Sequence, residues 1–290
     1  MSGATPSSST AERPGFWERR RRRRRRIKTS VALRLYSEVF HLDYLHYGLW
    51  DGEPLTLEGM RAAQERYAER LARAIPAGVA SILDVGCGTG SLSALLKARG
   101  YRLEGLSPDP HQQRLYAERV GEPFHLARFQ DFVPARTCDL VMMSEVAQYV
   151  WLPKLFPAVR RAAPQGYLLL ADYFRQRAAG GALPAGSGHP LDDFLDQAER
   201  HRCELLERED VTDAAAPTLE LAGKLVDLYV EPAASILADA VASRHPWLFA
   251  LGRSLLRRRF ARLIAGREFL DATTFKKTRR YLLLLFRIRA

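Results

Sequence analysis

The chain has 290 residues, of which 47% are hydrophobic and 27% are charged, and its formal net charge is +11. This composition excludes a chain that is disordered throughout, and no apolar run approaches the roughly 18 residues that a membrane-spanning helix needs. The N-terminal charges precede no apolar stretch, and the three cysteines are widely spaced. We therefore expect a globular, cytoplasmic protein without disulfides or a metal site.

The positive charge lies at the two ends of the chain. Residues 1–28 contain ten Lys/Arg and two acids, including eight consecutive arginines at 19–26, and residues 253–290 contain twelve Lys/Arg and two acids. The first segment is typical of a disordered, Arg-rich tail. Two interpretations of it stay open: peripheral contact with an anionic membrane, with Phe16 and Trp17 as anchors, or a solvated extension. No nucleic-acid-binding motif accompanies the tail, so we expect no specific nucleic-acid partner.

The predicted elements begin with helices and continue as alternating strands and helices. Residues 29–78 form an N-terminal helical segment, whose second helix spans Thr56 to Ala74. Beyond it, strands are predicted at residues 80–85, 101–106, 124–127, 138–143, 167–174, 202–211 and 280–288, and helices at residues 91–99, 110–120, 152–162 and 190–200. This alternation predicts an α/β fold with a Rossmann-like, seven-stranded, mostly parallel sheet and helices on both faces.

A long helical block separates the last two predicted strands, and it is too long for a simple connection. We therefore expect residues 79–216 to form the core, residues 217–275 a helical cap over it, and residues 276–290 the last strand. Apolar residues and arginines are interleaved within residues 247–264 of the cap, a pattern that fits either an interfacial helix or a cap packed on the sheet. An apolar cap suits a lipophilic substrate.

A glycine-rich loop with the sequence DVGCGTG, from Asp84 to Gly90, follows the first predicted strand. Glycines at alternate positions let the backbone turn sharply and approach a ligand closely. The GxGxG spacing differs from the GxGxxG of dinucleotide-binding loops, and no lysine follows as in a P-loop. A carboxylate at Asp84 would repel a pyrophosphate but suits a cation, so the loop favours a nucleoside sulfonium over a nicotinamide dinucleotide. A glycine turn without a ligand is the remaining alternative.

The segment from Ile82 to Gly90 closely resembles motif I of class I S-adenosylmethionine-dependent methyltransferases, and residues 40–175 are similar to that superfamily. Within it, the chain most resembles the branch of cyclopropane-fatty-acid and mycolic-acid synthases and tocopherol- and sterol-type methyltransferases. The resemblance implies that S-adenosylmethionine is the cofactor, that the core binds it and that the N-terminal segment closes over it. The motif I residues that it assigns to the cofactor are Asp84, Gly86, Cys87, Gly88 and Gly90.

Four further segments, at residues 46–50, 105–112, 128–132 and 144–149, carry the resemblance to this branch. They imply cofactor contacts from Tyr47 as the closing residue, Ser107 and Gln112 at the ribose, Phe129 and Gln130 at the adenine, and Ser144 after the fourth strand. Arg128 departs from the wider superfamily, which often has an acid there. Gln148-Tyr149 replaces the Glu-His pair of the branch, and the missing glutamate counts against cyclopropanation.

Methyl transfer from a sulfonium requires positioning and exclusion of water more than a nucleophilic triad. An oxygen acceptor would need a base, and an electron-rich carbon would need stabilisation of a developing cation. The candidate catalytic residues are His46, Glu145 and Tyr149, because they face the expected cleft. We expect a methyltransferase that acts on a small lipophilic acceptor, such as a lipid, an isoprenoid or a natural product. The alternative is a methyltransferase-like protein that binds a ligand or partner without catalysis, and the accepting atom and the oligomeric state stay open.

Overall fold

The computed structural model describes residues 35–177, 186–244 and 270–290. These residues contain a seven-stranded sheet formed by β1 (Ser81–Val85), β2 (Arg102–Ser107), β3 (Phe124–Leu126), β4 (Leu140–Ser144), β5 (Tyr167–Arg175), β6 (Cys203–Asp210) and β7 (Arg279–Ile288). The strand order is β3-β2-β1-β4-β5-β7-β6. Strands β1 to β5 pair in parallel, and β7 runs antiparallel to both β5 and β6. The predicted Rossmann-like, mostly parallel sheet is confirmed.

Three of the described helices begin at residues whose side chains cap them. The described helices are α1 (Leu57–Arg73), α2 (Ser91–Ala98), α3 (Pro110–Arg119), α4 (Leu152–Ala162), α5 (Leu191–Arg200), α6 (Thr212–Ala215), α7 (Pro217–Leu225), α8 (Glu231–Arg244) and α9 (Ala272–Thr278). The Thr56 hydroxyl accepts the N–H of Gly59 in the first turn of α1, and the carboxylates of Asp109 and Asp271 accept first-turn N–H groups of α3 and α9. The predicted boundaries of the seven strands and of α1 to α5 differ from the observed ones by only one or two residues.

Helices cover both faces of the sheet, because its strands carry apolar side chains on both faces. One buried cluster joins the sheet to α4 and α5, and a second joins it to α1, α2, α7 and α9. Strand β7 contributes alternately to the two clusters, with Leu282, Leu284 and Phe286 in the first and Tyr281, Leu283 and Leu285 in the second. A strand buried on both faces explains why the last predicted strand reads as a continuous apolar run.

The predicted N-terminal helical segment is only partly helical within the described residues. Leu35–Val39 forms one π-helical turn, and residues 40–50, here called the strap, are irregular. The strap is fixed by other elements, because Leu49 N donates to the carbonyl of Ala63 in α1 (2.9 Å) and Trp50 N to the carbonyl of Ala214 in α6 (2.8 Å). Long-range partners for the backbone replace the local bonds of a helix.

Two predicted features lie outside the described residues, namely the Arg-rich tail (1–28) and residues 247–264 of the cap. The described part of the cap contains α7, a π-helical turn at Val226–Val230, α8 and α9. Within 35–177, 186–244 and 270–290, no helix has the length and apolar character that crossing a membrane requires.

The parallel strands place the predicted site at one edge of the sheet. The glycine-rich loop follows β1, Ser107 ends β2, and Glu145 follows β4. In a parallel sheet all these carboxyl ends lie at the same edge, where such folds bind ligands.

Candidate functional site

The glycine-rich loop has a backbone that other residues adopt only under strain. Gly86, Gly88 and Gly90 have φ values of +71°, +58° and +81°. A Cβ on Gly86 would also lie 2.3 Å from Cγ2 of Val146, well inside contact distance. The positive φ values therefore favour glycine at all three positions, and at Gly86 the close packing on the segment after β4 also requires it.

The strap packs directly on this loop. A Cβ on Gly88 would lie 3.2 Å from Cδ1 of Leu45, and the hydroxyls of Thr89 and Ser91 both donate to the carbonyl of Asp43. At its other end, Tyr47 N donates to Oε1 of Glu145 at 2.6 Å. The strap thus runs from the glycine loop after β1 to the carboxylate after β4, as expected for a segment that closes over a ligand.

Two side chains of motif I are buried beneath the loop. Oδ2 of Asp84 accepts the Ser93 hydroxyl of α2 at 2.5 Å, and burial raises the pKa of this carboxyl to about 6. Cys87 packs with Tyr116 and Val120, and burial raises the pKa of its thiol far above the usual range. Asp84 therefore supplies a buried carboxylate beside the loop, whereas the Cys87 side chain is neutral.

The residues predicted to hold the ribose and the adenine lie in different environments. Gly88 N donates to Oε1 of Gln112 at 3.2 Å, so Gln112 does reach the glycine loop. The hydroxyl of Ser107 is buried and accepts the N–H of Asp109 at 3.2 Å. Phe129 is buried in the core cluster beside α4, and Gln130 follows it, half-buried. Their contacts with the cofactor stay predictions.

Glu145 is the centre of a cluster of hydroxyl groups. It has φ of +57°, which is unusual for a residue other than glycine, and its Oε1 also accepts the Tyr281 hydroxyl at 2.7 Å. The Tyr67 hydroxyl lies 3.2 Å from that of Tyr281 and 2.9 Å from Oγ of Ser144. Burial raises the pKa of Glu145 to about 7, although both of its hydrogen bonds act in the opposite direction. This carboxyl therefore changes charge near neutral pH, as a general base must.

Aromatic rings surround the same carboxylate. The Tyr47 ring lies with its centroid 5.5 Å from that of Tyr281, 6.1 Å from that of Phe275 and 6.3 Å from that of Tyr173. Aromatic faces attract cations, so these four rings and the Glu145 carboxylate together favour positive charge. Tyr281 and Phe275 are absent from the predicted site, because β7 and α9 lie more than 120 residues beyond Glu145 in the sequence.

The other two candidate catalytic residues differ in burial. His46 is only 7% exposed and stacks on Tyr67 with ring centroids 3.9 Å apart. Its Nδ1 donates to the Tyr47 carbonyl at 2.7 Å, and burial lowers the pKa of its imidazole to about 4, so the ring is neutral. Tyr149 is 77% exposed. The structure brings His46 against Tyr47 and Tyr67, but places Tyr149 at the surface.

Asp172 is a buried acid that the sequence analysis does not identify. It lies in β5 with 1% exposure, and its carboxylate accepts the N–H groups of Gln148 (3.1 Å) and Tyr173 (2.9 Å). Burial, with a smaller contribution from the charge of Glu145, raises the pKa of Asp172 well above its usual range. A lone acid in the apolar strand sequence YLLLADYF was the available signal.

The chemistry of this edge fits a cationic nucleoside. Asp84 and Glu145 are carboxylates, and the rings around Glu145 complement positive charge. Nε2 of His46 and Oε1 of Gln64 are buried acceptors without a hydrogen-bond partner in the part of the chain that the structure describes. Both atoms can accept from an ammonium or hydroxyl group of a ligand.

Known proteins share this fold. The geranyl diphosphate C-methyltransferase from Streptomyces coelicolor A3(2), solved with Mg²⁺, geranyl diphosphate and S-adenosyl-L-homocysteine, has a TM-score of 0.62 and 16% identity over 90% of this chain and 94% of that chain. The [4+2]-cyclase SpnF has a TM-score of 0.62 and 18% identity over 88% and 92%. The StiE O-MT has a TM-score of 0.60 and 17% identity over 85% and 87%. At these identities the likeness shows the fold.

The family is shown by sequence. The family model described as a methyltransferase domain matches residues 60–215, which is more than half of the chain, whereas no curated protein matches it. This match confirms the predicted superfamily; the narrower branch of cyclopropane synthases and tocopherol- and sterol-type enzymes stays a prediction. The chain belongs to the methyltransferase domain family, and it is a methyltransferase whose cofactor is S-adenosylmethionine.

Proposed function

We propose that this protein methylates a small lipophilic acceptor, of the isoprenoid or natural-product class, with Glu145 as the group that accepts the proton. The observation that carries the proposal is the position of the Glu145 carboxylate beside the rings of Tyr47 and Tyr281, at the end of the strap. Apolar rings suit an apolar acceptor, and the carboxylate supplies the base that the expected chemistry needs.

The bound cofactor supplies a methyl group activated by a positively charged sulfur. The glycine loop and the strap hold it and exclude water, which favours direct transfer to the acceptor. If the accepting atom is an alkene carbon, the aromatic rings stabilise the cation that develops, and Glu145 then takes a proton to restore the double bond. If the accepting atom is oxygen, the same carboxylate takes the hydroxyl proton. Tyr281 O–H and Tyr47 N–H orient the carboxylate in both cases.

Proteins of this fold support the acceptor class. Two of the similar structures are described as a geranyl diphosphate C-methyltransferase and an O-methyltransferase, and a third is a [4+2]-cyclase. Arg128 and the Gln148-Tyr149 pair depart from the family pattern, and they support the alternative that this chain binds a ligand or partner without catalysis. Cyclopropanation is not part of the proposal.

The proposal is tested with purified full-length protein, methyl-labelled S-adenosylmethionine and a panel of acceptors. The panel contains geranyl diphosphate, geraniol, an unsaturated fatty acid and a phenolic polyketide. We expect transfer of label to one of them and a loss of about 10²- to 10⁴-fold in kcat for Glu145→Gln. Calorimetry measures cofactor affinity in the same variants, which separates a loss of cofactor binding from a loss of methyl transfer.

Glu65→Gln is the matched control, because Glu65 is exposed on α1 and loses the same charge. Its kcat should equal that of the wild type. Cofactor binding without label transfer to any acceptor supports the binding-only alternative. Full activity of Glu145→Gln removes Glu145 as the base while leaving the methyltransferase assignment intact.

We also propose peripheral contact with an anionic membrane. Three apolar side chains are exposed after α7. Leu228 lies in the π-helical turn at Val226–Val230, and Ile236 and Leu237 lie in α8. The basic residues of 1–28 and 253–267 complement anionic lipid headgroups. An exposed apolar helix and two cationic segments are the two features that bind a protein to a lipid surface.

Co-sedimentation with vesicles tests the membrane proposal. We expect the full chain to bind vesicles of phosphatidylserine and phosphatidylcholine and not vesicles of phosphatidylcholine alone, with binding reduced at least tenfold when the arginines at 19–26 are replaced by glutamine. Ile236→Glu should weaken binding further. Equal sedimentation with both kinds of vesicle, or with neither, would overturn the proposal, and self-association seen without vesicles would assign the apolar helix to a second copy.

A further inference from the structure

The segment after β4 is held by β5 at Glu145 itself and three residues later. Glu145 N donates to the carbonyl of Ala171 in β5 at 2.8 Å. Three residues later, Gln148 N donates to Oδ2 of Asp172, the next residue of β5. Gln148 lies in a 3₁₀ turn at Ala147–Tyr149, so two consecutive residues of β5 fix Glu145 and the turn that follows it.

These contacts stabilise an unfavourable backbone conformation at Glu145. The φ of +57° at Glu145 is costly for a residue with a Cβ, by about 1–3 kcal/mol, and such residues persist only where surrounding contacts determine the backbone. Asp172 supplies such contacts with a carboxylate that is 1% exposed, and the ring of His189 adds a hydrogen bond to the Ala147 carbonyl at 2.8 Å. The left-handed conformation aims the Glu145 side chain at Tyr47 N and the Tyr281 hydroxyl.

We propose that Asp172 is a positioning residue for Glu145. Its buried carboxylate holds the turn at Ala147–Tyr149 and thereby keeps the Glu145 carboxylate beside Tyr47 and Tyr281. The inference rests on the proposed function for its catalytic meaning. The structural part of it, the dependence of the Glu145 environment on Asp172, is measured without any acceptor.

The environment of Glu145 is measured through the pH dependence of stability. Because burial raises the Glu145 pKa, the stability that this group contributes is present at low pH and is lost as the pH rises through about 7. Glu145→Gln removes that loss, so it should raise Tm relative to the wild type more at pH 8 than at pH 5. The titratable groups that face Glu145 are the hydroxyls of Tyr36, Tyr47, Tyr67, Tyr149, Tyr173 and Tyr281 and the carboxyl of Asp172. The tyrosines stay neutral over this range, and so does the nearby His46. Burial raises the pKa of Asp172 to about 8, so its titration overlaps that of Glu145, and the Asp172 variants separate the two.

The experiment repeats this comparison in three backgrounds. Asp172→Asn removes the charge but keeps one acceptor for the backbone amides, whereas Asp172→Leu removes both. The quantity compared is the rise in Tm caused by Glu145→Gln at pH 8 minus the rise at pH 5. We expect this difference to be largest with Asp at position 172, smaller with Asn and reduced by at least half with Leu. The reason is that a released Glu145 carboxylate turns to solvent. If a variant does not fold, Asp172→Thr, which keeps a hydroxyl acceptor, replaces Asn, and Asp172→Ala, which has no acceptor, replaces Leu.

Equal effects of Glu145→Gln on Tm in all three backgrounds would overturn the inference. Equal reductions of that effect with Asn and with Leu would also overturn it, because charge alone, and not the hydrogen bond to the turn, would then couple the two residues. Where an acceptor is methylated, Asp172→Leu should lower kcat about 100-fold with unchanged KM for the cofactor, and should have no further effect in the Glu145→Gln protein. The same factor in both proteins would mean that Asp172 does not act through Glu145. If no acceptor is methylated, the proposed function fails while the Tm comparison still decides this inference.

Discussion

Gly86→Ala isolates the close packing between the glycine loop and the segment after β4. At Gly86 two effects coincide: φ is +71°, and an added Cβ would lie 2.3 Å from Cγ2 and 2.9 Å from Cγ1 of Val146. Gly121 separates them, because its φ is +68° but no heavy atom lies within 4 Å of the position of its Cβ. Gly121→Ala is therefore a control with the same backbone strain and no steric overlap.

The expected magnitudes follow from these two effects. The left-handed conformation costs about 1–2 kcal/mol for alanine relative to glycine, and this cost applies to both variants. Overlap with Val146 adds about 1–3 kcal/mol, because the interior is close-packed and its side chains must shift. Gly86→Ala should therefore lose about 2–5 kcal/mol of unfolding free energy, and Gly121→Ala about 1–2 kcal/mol.

Urea unfolding and calorimetry with S-adenosylmethionine measure the two consequences. Gly86→Ala should also weaken cofactor binding at least tenfold, since the loop and the Glu145 segment can no longer pack together, whereas Gly121→Ala should bind normally. Val146→Ala in the Gly86→Ala background should restore part of the loss, because it removes the two overlapping methyl groups. The steric reasoning is refuted if the two glycine variants are equally destabilised, or if Val146→Ala restores nothing.

Two further predictions concern buried polar contacts. Thr218→Val should lower the free energy of unfolding, measured in urea, by about 2–4 kcal/mol. The reason is that Gly48 N (3.1 Å) and Trp50 Nε1 (2.9 Å) would both lose their buried acceptor in α7. Thr137→Val, at an exposed position, is the control, and a loss below about 1 kcal/mol for Thr218→Val would contradict the prediction. Ser93→Ala removes a hydrogen bond that lowers the pKa of the buried Asp84 carboxyl. The pKa is already raised to about 6, so this group's contribution to stability is lost as the pH rises through that value. Removing the bond should deepen the loss, and Tm should fall more at pH 8 than at pH 5. Equal decreases in Tm at the two pH values would show that the ionised carboxylate does not depend on Ser93.

Local patterns in the sequence predict the parts of the fold whose causes are local. A carboxylate, an apolar strand and alternate glycines are enough to identify the loop after β1, because the turn itself requires positive φ at those positions. The strand and helix alternation likewise predicts the sheet. The strap is the counterexample, since it lies within the predicted N-terminal helical segment but its amides bond to α1 and α6 instead.

The sequence by itself thus determined the sheet, the cofactor loop and the choice of Glu145 and Tyr47 as candidate residues. Only the tertiary structure decided what surrounds Glu145. Insertion of β7 between β5 and β6 brings Tyr281 to within 2.7 Å of a carboxylate 136 residues earlier, and the pairing of β4 with β5 places Asp172 beside it. Such contacts depend on which strands pair and in which register, and no periodicity within either segment encodes that choice.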